Sequence, residues 1–372
     1  MKQQGISRWW HKIDTKTIAP VIMLCIVGSI FMMSVSNAVA ENVALNGVSI
    51  STFHFATRQV IFVMIGFVAM FSFYSMSRES IVVMSFVFGA LCIAGLGLVL
   101  VIGTQIKGSQ RWINLGFFAI QPSEVLKPFF IVVNGFILND VRVQTWKKLG
   151  FSACIVAAIG FLLILEPDFG MTTTYLAIWA FQCFIANISW SFVVGLFGLA
   201  AGVGIVAFST LEHVRYRIEM FLSSDDISYQ VKRALQSIGE GGFFGKGPGN
   251  GETKYYLPDA HSDYIFAAIG EEGGFFICSL LLFAYAYLIF VNVLHFAKEK
   301  DMANRNIAFG ILCMITLQVF ISVGVNTNFL PTKGSTLPFI SYGGSAMISM
   351  LISIGILLSL KANGLTIRRK VL

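Results

Sequence analysis

The chain has 372 residues, of which 56% are hydrophobic and 12% are charged, about half the charged fraction of soluble domains. The mean hydropathy is +0.77, which excludes an ordinary water-soluble domain and indicates an integral membrane protein. The net charge of +7 does not indicate a nucleic-acid partner, because the basic residues lie where membrane topology favours them, in short segments between apolar runs.

Ten apolar windows are long enough to cross a membrane as helices, for which about 20 residues suffice. A secretory signal cleaved after Ala40 is an alternative for the first window, but that window is longer than the apolar core of such signals. We therefore predict an all-α, polytopic protein forming a single domain over residues 1–372. The windows lie near residues 17–36, 58–76, 80–103, 122–138, 150–166, 171–188, 190–209, 272–296, 305–325 and 338–360.

The distribution of lysine and arginine predicts the orientation. With the N-terminus in the cytoplasm, 15 of the 26 basic residues fall in inner segments, and an even number of spans then places both termini inside. One connection is long, an extracytoplasmic loop over residues 210–262 between the seventh and eighth windows. Loops of this length in compact proteins are usually functional. The smaller outer loops, 104–121 and 326–337, carry most of the remaining polar residues, so we expect the chemistry at the outer face.

The long loop contains a glycine-rich segment, GEGGFFGKGPGNG. It is not a nucleotide-binding P-loop, because Glu240 and Gly247 stand where that motif requires a glycine and a serine or threonine. Two interpretations stay open. The segment is either a flexible hinge in which glycines adopt positive φ, or a nest of backbone N–H groups that binds a pyrophosphate with the help of Lys246.

The stretch LPDAHSDYIF lies just before the eighth window. Pro258 predicts a helix start, which would place Asp259 and Asp263 one turn apart on one face. Asp259 is explained equally well as an acid at the positive end of a helix dipole. Asp263 lies deeper, and the same predicted helix continues to Glu271 and Glu272, where acids need a water-filled cavity or a partner.

The other two outer loops supply further candidate site residues, most of them cationic. The segment KGSQRWINLGFFAIQPSE contains Arg111, Trp112 and Glu124 and is followed by Lys127, and the segment NTNFLPTKGSTLPFISYGGS contains Lys333. Lys127 is also explained as a side chain that extends to the membrane interface, and Trp112 as an interfacial aromatic residue. An outward cavity lined by these cations suits an anionic amphiphile such as a lipid phosphate, and a carboxylate suits general-base catalysis on a hydroxyl.

Six motifs occur in order along nearly the whole chain: GSQRWINLG, QPSEVLKP, EPDFGM, YQVKRALQSIGEGGFFGKGPGNG, LPDAHSDYIFAAIGEE and PTKGSTLPFISYGGS. In these motifs the chain resembles the SEDS family of bacterial proteins (shape, elongation, division and sporulation). The PTKG sequence and the Trp9–Trp10 pair are more similar to the division members than to the elongation members. Ser262 departs from the family pattern, in which threonine is commoner.

The resemblance implies a peptidoglycan glycosyltransferase that polymerises lipid II, the undecaprenyl-pyrophosphate-linked disaccharide-pentapeptide, into β-1,4 glycan strands at the division septum. It implies that Asp263 is the essential acid, which we expect to accept the proton of an acceptor sugar hydroxyl. We expect cations to offset the charge on the departing pyrophosphate, with participation of a divalent cation, magnesium or manganese, left open. The predicted substrate-binding residues are Arg111, Trp112, Glu124, Lys127, Lys246, Lys333 and Ser341.

The resemblance also implies partners and a location. We expect a class B penicillin-binding protein (a transpeptidase) and other membrane proteins of the divisome as partners, in the bacterial plasma membrane. Two other functions fit the same sequence: a flippase for lipid II and a non-catalytic division scaffold. A coupled carrier generally has ionisable residues near the bilayer midplane, whereas the charged residues of this chain that lie outside its inner segments are mostly at the outer edge.

Overall fold

The computed structural model describes residues 14–45, 51–106, 109–116, 118–188, 229–331 and 334–370, with some helical positions between 195 and 215. Described helices are α1 (Thr15–Leu45), α2 (His54–Ser75), α3 (Arg78–Ile102), α4 (Pro122–Leu138), α5 (Thr145–Leu165), α6 (Phe169–Ile185), α7 (Tyr229–Gly241), α8 (Ile265–Phe296), α9 (Met302–Asn326) and α10 (Gly344–Lys370). A 3-10 helix spans Thr253–Tyr256. The short strands β1 (Thr104–Ile106), β2 (Ser109–Asn114) and β3 (Ala119–Ile120) form an antiparallel sheet in the order β1-β2-β3.

The helices confirm a multi-pass membrane protein. Among the described residues, seven helices are long and apolar enough to cross a bilayer, namely α1, α2, α3, α5, α8, α9 and α10. Helices α4 and α6 have 17 residues each and coincide with two further predicted windows. The window at 190–209 lies mostly outside the described residues, so the count of ten spans stays a prediction.

Helices α4 and α10 form the centre of the bundle. Almost every side chain of α4 from Pro122 to Gly135 is buried, and 89% of the apolar window of α10 is buried. Glycines allow α10 to approach α2 closely, because a Cβ at Gly355 would lie 2.3 Å from the Met70 carbonyl oxygen. Small residues at helix contacts are typical of membrane bundles, in which packing rather than water exclusion holds helices together.

The small sheet covers the outer end of α3 and supplies two of the predicted site residues. β1 pairs with β2, with Thr104 opposite Trp112. Arg111 and Trp112 both lie on β2. The outer loop predicted at 104–121 is therefore largely ordered as a sheet, which fixes these two residues next to the start of α4.

The predicted helix start at Pro258 is wrong. Residues 258–264 form turns, and α8 begins at Ile265. Asp259 has φ of 54°, and its carbonyl accepts the N–H groups of Ser262 and Tyr264. A residue in the left-handed region ends regular helical geometry, so Asp259 and Asp263 do not share one helical face.

Candidate active site

Asp263 lies in the turn that leads into α8, and the end of α9 holds this turn in place. The Asn326 side-chain amide donates to the Asp263 carbonyl oxygen at 2.8 Å, while its own oxygen accepts the Ala267 N–H at 3.0 Å. The Asp263 carboxylate lies against the following loop, since a Cβ at Gly334 would be 2.9 Å from Asp263 Oδ2. Asp263 as a whole is half-buried, so the fold positions this residue without burying it completely.

The segment before α10 fixes the same turn from a second side. The Ser341 hydroxyl donates to the Ser262 carbonyl at 2.6 Å and accepts the Leu337 N–H at 2.7 Å. The Tyr342 N–H donates to the His261 carbonyl at 2.9 Å. The Ser341 hydroxyl is buried and joins two loops, so its contacts are structural, and its predicted role in substrate binding stays a prediction.

Glu124 and Lys127 form an ion pair at the start of α4. The Lys127 ammonium lies 2.6 Å from Glu124 Oε2, and its side chain is 0% exposed. Lys127 therefore does not extend to the membrane interface, contrary to that alternative. The start of α4 is fastened to α10, because the Gln121 N–H donates to the Ser345 hydroxyl at 3.0 Å and the Ser349 hydroxyl donates to the Glu124 carbonyl at 2.7 Å.

The segment 334–345 connects the two groups of residues. At one end Gly334 packs against the Asp263 carboxylate, and at the other end Ser345 binds the N-terminus of the helix that carries Glu124 and Lys127. The segment thus links the turn that carries Asp263 to the start of α4. The common exposure of the predicted site residues to a single outward cavity stays a prediction.

Arg111 contacts Asp168, an acid that was not among the predicted site residues. Its guanidinium donates to the Pro167 carbonyl, and its Nε lies 3.4 Å from Asp168 Oδ2. Asp168 also caps α6, accepting the Met171 N–H at 3.0 Å. These contacts join β2 to the connection between α5 and α6.

Glu166 is the second missed acid. It is 1% exposed, and within the described part of the chain neither carboxylate oxygen has a hydrogen-bond partner. Burial, together with the nearby Asp168 charge, raises the pKa of Glu166 to about 8, although Arg111 opposes the shift. The sequence does carry a signal for it, because an acid at the end of the apolar window 150–166 indicates a polar group that needs a partner.

Trp112 and Lys333 are the remaining predicted site residues of the outer loops. Trp112 is half-buried on β2, and its carbonyl accepts the Thr104 hydroxyl at 3.2 Å. Its role in binding substrate and its role as an interfacial aromatic residue both stay predictions. Lys333 lies outside the described residues.

The carboxylates of α8 hold the second half of the long loop. Glu271 accepts the backbone N–H groups of residues 252, 253 and 254 at 2.7, 2.9 and 3.1 Å. Lys246 lies 3.3 Å from Glu271 and 2.5 Å from Glu240. Hydrogen bonds, of which the one from Lys246 is the largest cause, lower the pKa of Glu240 to about 2. The acids predicted to need a cavity or a partner have partners, and Lys246 contacts two carboxylates.

The glycine-rich segment packs tightly on a break in α8. Gly274 has φ of 68° and ψ of −173°, which interrupts the helix. The N–H groups of Lys246 and Gly247 donate to the carbonyls of Glu271 and Glu272, and the Phe275 N–H donates to the Gly242 carbonyl. The positive φ expected of glycines in the hinge interpretation occurs at Gly242, Gly245, Gly247 and Gly249. The bonds tie the segment to α8, and they occupy two N–H groups that a pyrophosphate nest would need.

The chain is similar to known proteins over most of its length. Residues 15–364 match the family model FTSW_RODA_SPOVE, described as a cell cycle protein. The probable peptidoglycan glycosyltransferase FtsW of Caulobacter vibrioides is 32% identical over 363 residues, which cover 96% of this chain and 91% of that protein. The stage V sporulation protein E of Bacillus subtilis is 33% identical, with coverage of 83% and 87%.

Two solved structures share the fold. A chain of a peptidoglycan synthase complex superposes with a TM-score of 0.78 at 24% identity, covering 95% of this chain and 98% of that one. The rod shape determining protein RodA of Thermus thermophilus gives a TM-score of 0.69 at 23% identity, with coverage of 94% and 96%. Because the family model spans most of the sequence and relatives exceed 30% identity over nearly all of it, the chain belongs to the FtsW/RodA/SpoVE family, the SEDS family that its motifs resemble.

Proposed function

We propose that this chain is a peptidoglycan glycosyltransferase that polymerises lipid II into β-1,4 glycan strands during bacterial cell division. The observation that carries the proposal is the 32% identity, over 96% of the chain, to a protein named as a probable peptidoglycan glycosyltransferase. We place the protein in the plasma membrane at the septum, with its active site on the extracytoplasmic face. The basic inner segments and the polar outer loops support that orientation.

Asp263 is the proposed general base. Its carboxylate accepts the proton of the 4-hydroxyl of an N-acetylglucosamine as that oxygen attacks the anomeric carbon of the donor. The bond from that carbon to the pyrophosphate oxygen breaks, undecaprenyl pyrophosphate leaves, and the α linkage becomes β. Asn326 supports this role because it holds the turn, and Gly334 supports it because its lack of a side chain leaves room for the carboxylate of the half-buried Asp263. Positioned general bases typically contribute about 10²- to 10⁴-fold to a rate.

Arg111 and Lys127 are proposed to stabilise the departing pyrophosphate. Lys127 is held by Glu124, and Arg111 is held by Asp168. Ion pairs keep the charges in fixed positions, and preorganised charge is the form of electrostatic stabilisation that contributes most to catalysis. Lys333 and Lys246 are proposed to contact the same anionic substrate. Within the described ranges, no group of three or more His, Cys, Asp or Glu side chains could hold a metal ion.

A partner is proposed from the structural comparison. The similar peptidoglycan synthase complex coordinates polymerization and crosslinking, so we infer that this chain works with a crosslinking enzyme, a class B penicillin-binding protein, and with other membrane proteins of the divisome. A lipid II flippase and a non-catalytic scaffold are the two rival functions, and the following experiment separates them.

The test uses the full chain reconstituted in liposomes with its transpeptidase and labelled lipid II, with polymer resolved by gel electrophoresis. We expect Asp263→Asn to reduce polymer formation by about 100-fold or more. Asp259→Asn is the matched control, because asparagine tolerates the positive φ at that position and should retain activity. Undiminished polymer from folded Asp263→Asn would remove the base assignment. Translocation of lipid II without polymer would favour the flippase, and partner binding without either activity would favour the scaffold.

A further inference from the structure

A large cavity opens between α1, α8 and α10. Its volume is about 1180 Å³, somewhat more than the range of about 300–1,000 Å³ that holds drug-sized ligands. It lies at the opposite end of α8 from Asp263. After the break at Gly274, α8 continues for about 20 residues to Phe296 with a rise of roughly 1.5 Å each, so the basic end of the cavity and the proposed active site face opposite sides of the membrane.

One wall of the cavity is aromatic. Phe283, Tyr287 and Phe290 recur on α8 at spacings of four and three residues, which places them on one face. Their exposed fractions are 68%, 38% and 61%, and Leu358 of α10 lies across from them. Since α8 crosses the bilayer, this wall can contact acyl chains directly.

The end of the cavity is basic. Lys16 in the first turn of α1, Lys298 after α8, and His295 line it, together with Lys361 of α10. The acidic groups that face the same space are Asp14 and Glu299. Among the described residues, the charged lining therefore comprises three lysines against two carboxylates, before any charge on His295.

Both carboxylates already have partners within the fold. Asp14 forms an ion pair with Lys361, whose ammonium also donates to the Thr17 hydroxyl at 2.9 Å. Glu299 accepts the Asp301 N–H at 3.1 Å. The Asp14–Lys361 pair, with Lys361 only 6% exposed in its side chain, gives the cavity a built polar floor. Lys16 and Lys298 are exposed and lie at the rim of the cavity.

We propose that this cavity binds an anionic glycerophospholipid of the membrane leaflet opposite the active site. The phosphate headgroup contacts Lys16 and Lys298, and the first part of the acyl chains packs on Tyr287 and Phe290. Basic pockets between membrane helices, next to an apolar wall, are typical sites for anionic lipid headgroups. The proposal does not depend on the enzymatic activity, because it concerns the other end of the bundle.

The test is native mass spectrometry of the full chain in detergent, titrated with phosphatidylglycerol or phosphatidylcholine of identical acyl chains. We expect phosphatidylglycerol to bind at least about tenfold more tightly, since each lysine near a lipid phosphate contributes measurably. The double substitution Lys16→Gln/Lys298→Gln should abolish this preference, and its thermal unfolding curve checks that the variant is folded.

The control is Lys147→Gln/Lys148→Gln, which removes the same charge at the start of α5, away from the cavity lining. It should retain the preference for phosphatidylglycerol. Equal binding of both lipids, or an equal loss in the control, would overturn the proposal. Binding of a polyprenyl pyrophosphate, but not of phosphatidylglycerol, that depends on Lys16 and Lys298 would also overturn it and assign the cavity to a different lipid.

Discussion

Lys254 and Glu272 form an ion pair in which both side chains are 1% exposed. The Ser34 hydroxyl of α1 donates to the same Glu272 oxygen at 2.5 Å and accepts a hydrogen bond from Lys254 at 2.6 Å. The pair therefore fastens the long outer loop to α1 and α8 at once. Removal of one charge would leave the other buried without compensation, and buried unpaired charges are among the most destabilising defects.

Lys254→Met is expected to lower the free energy of unfolding by about 3–5 kcal/mol. The measurement is thermal unfolding of the purified protein in detergent. The double substitution Lys254→Met/Glu272→Met should recover much of the loss, because it removes both charges. Lys232→Met, on the exposed face of α7, is the control and should change stability little. If Lys254→Met were as stable to heat as Lys254→Met/Glu272→Met, the two buried charges would not be coupled.

The glycine-rich segment depends on backbone shapes that other residues adopt poorly. Gly245 and Gly274 have φ of 77° and 68°, and a Cβ at either would lie within 2.3 Å of backbone atoms of the opposing segment. Gly274→Ala should therefore cost at least about 2 kcal/mol through backbone strain and steric overlap, seen as a lower melting temperature.

Gly239→Ala is the matched control for Gly274→Ala. Gly239 lies in α7, and a Cβ there meets no atom within 4 Å. Alanine in a helix interior should stabilise the protein by roughly 0.5–1 kcal/mol relative to glycine. If Gly274→Ala and Gly239→Ala changed the melting temperature equally, the packing of the glycine-rich segment on α8 would not contribute to the stability of the protein.

Glu166 should make stability depend on pH. Its pKa is raised to about 8 by burial and by Asp168, so the folded state holds its proton at pH values where the unfolded state has lost it. Stability from this group is complete below its unfolded pKa and falls as the pH rises to about 8. Glu166→Gln should reduce the difference in melting temperature between pH 6 and pH 9. An unchanged difference would show that Glu166 does not titrate in this range.

Membrane helices were largely predictable from the sequence, because hydrocarbon imposes a long apolar window on each span. α3, for instance, covers 78–102 where a window at 80–103 was predicted. The motifs of the family pointed to Glu124 and Lys127 as site residues. Their ion pair could not be predicted from the sequence, because a lysine in an apolar run fits both an ion pair and an interfacial position.

The turn before α8 could not be predicted from local signals. Pro258 and the acids after it fit a helix start, yet the tertiary contacts of Tyr342 and Ser341 hold His261 and Ser262 in a turn. The tight packing of the glycine-rich segment was equally hidden, because its partner, the break at Gly274, lies about 30 residues later in the chain. Long-range contacts of this kind override local propensity.

Gly334 should be needed for activity because its lack of a side chain leaves room for the Asp263 carboxylate. A Cβ at Gly334 would lie 2.9 Å from Asp263 Oδ2, so Gly334→Ala should displace the carboxylate and lower kcat by about 10- to 100-fold, with a smaller change in KM. Gly343→Ala is the control in the same loop, because a Cβ there contacts only the side-chain carbons of Thr336 and Ala346. Steady-state polymerisation of lipid II provides the measurement.

Because the displacement acts through Asp263, adding Gly334→Ala to Asp263→Asn should cause no further loss of activity. Full activity of folded Gly334→Ala, or a further loss in the double variant, would show that Gly334 does not act by positioning Asp263.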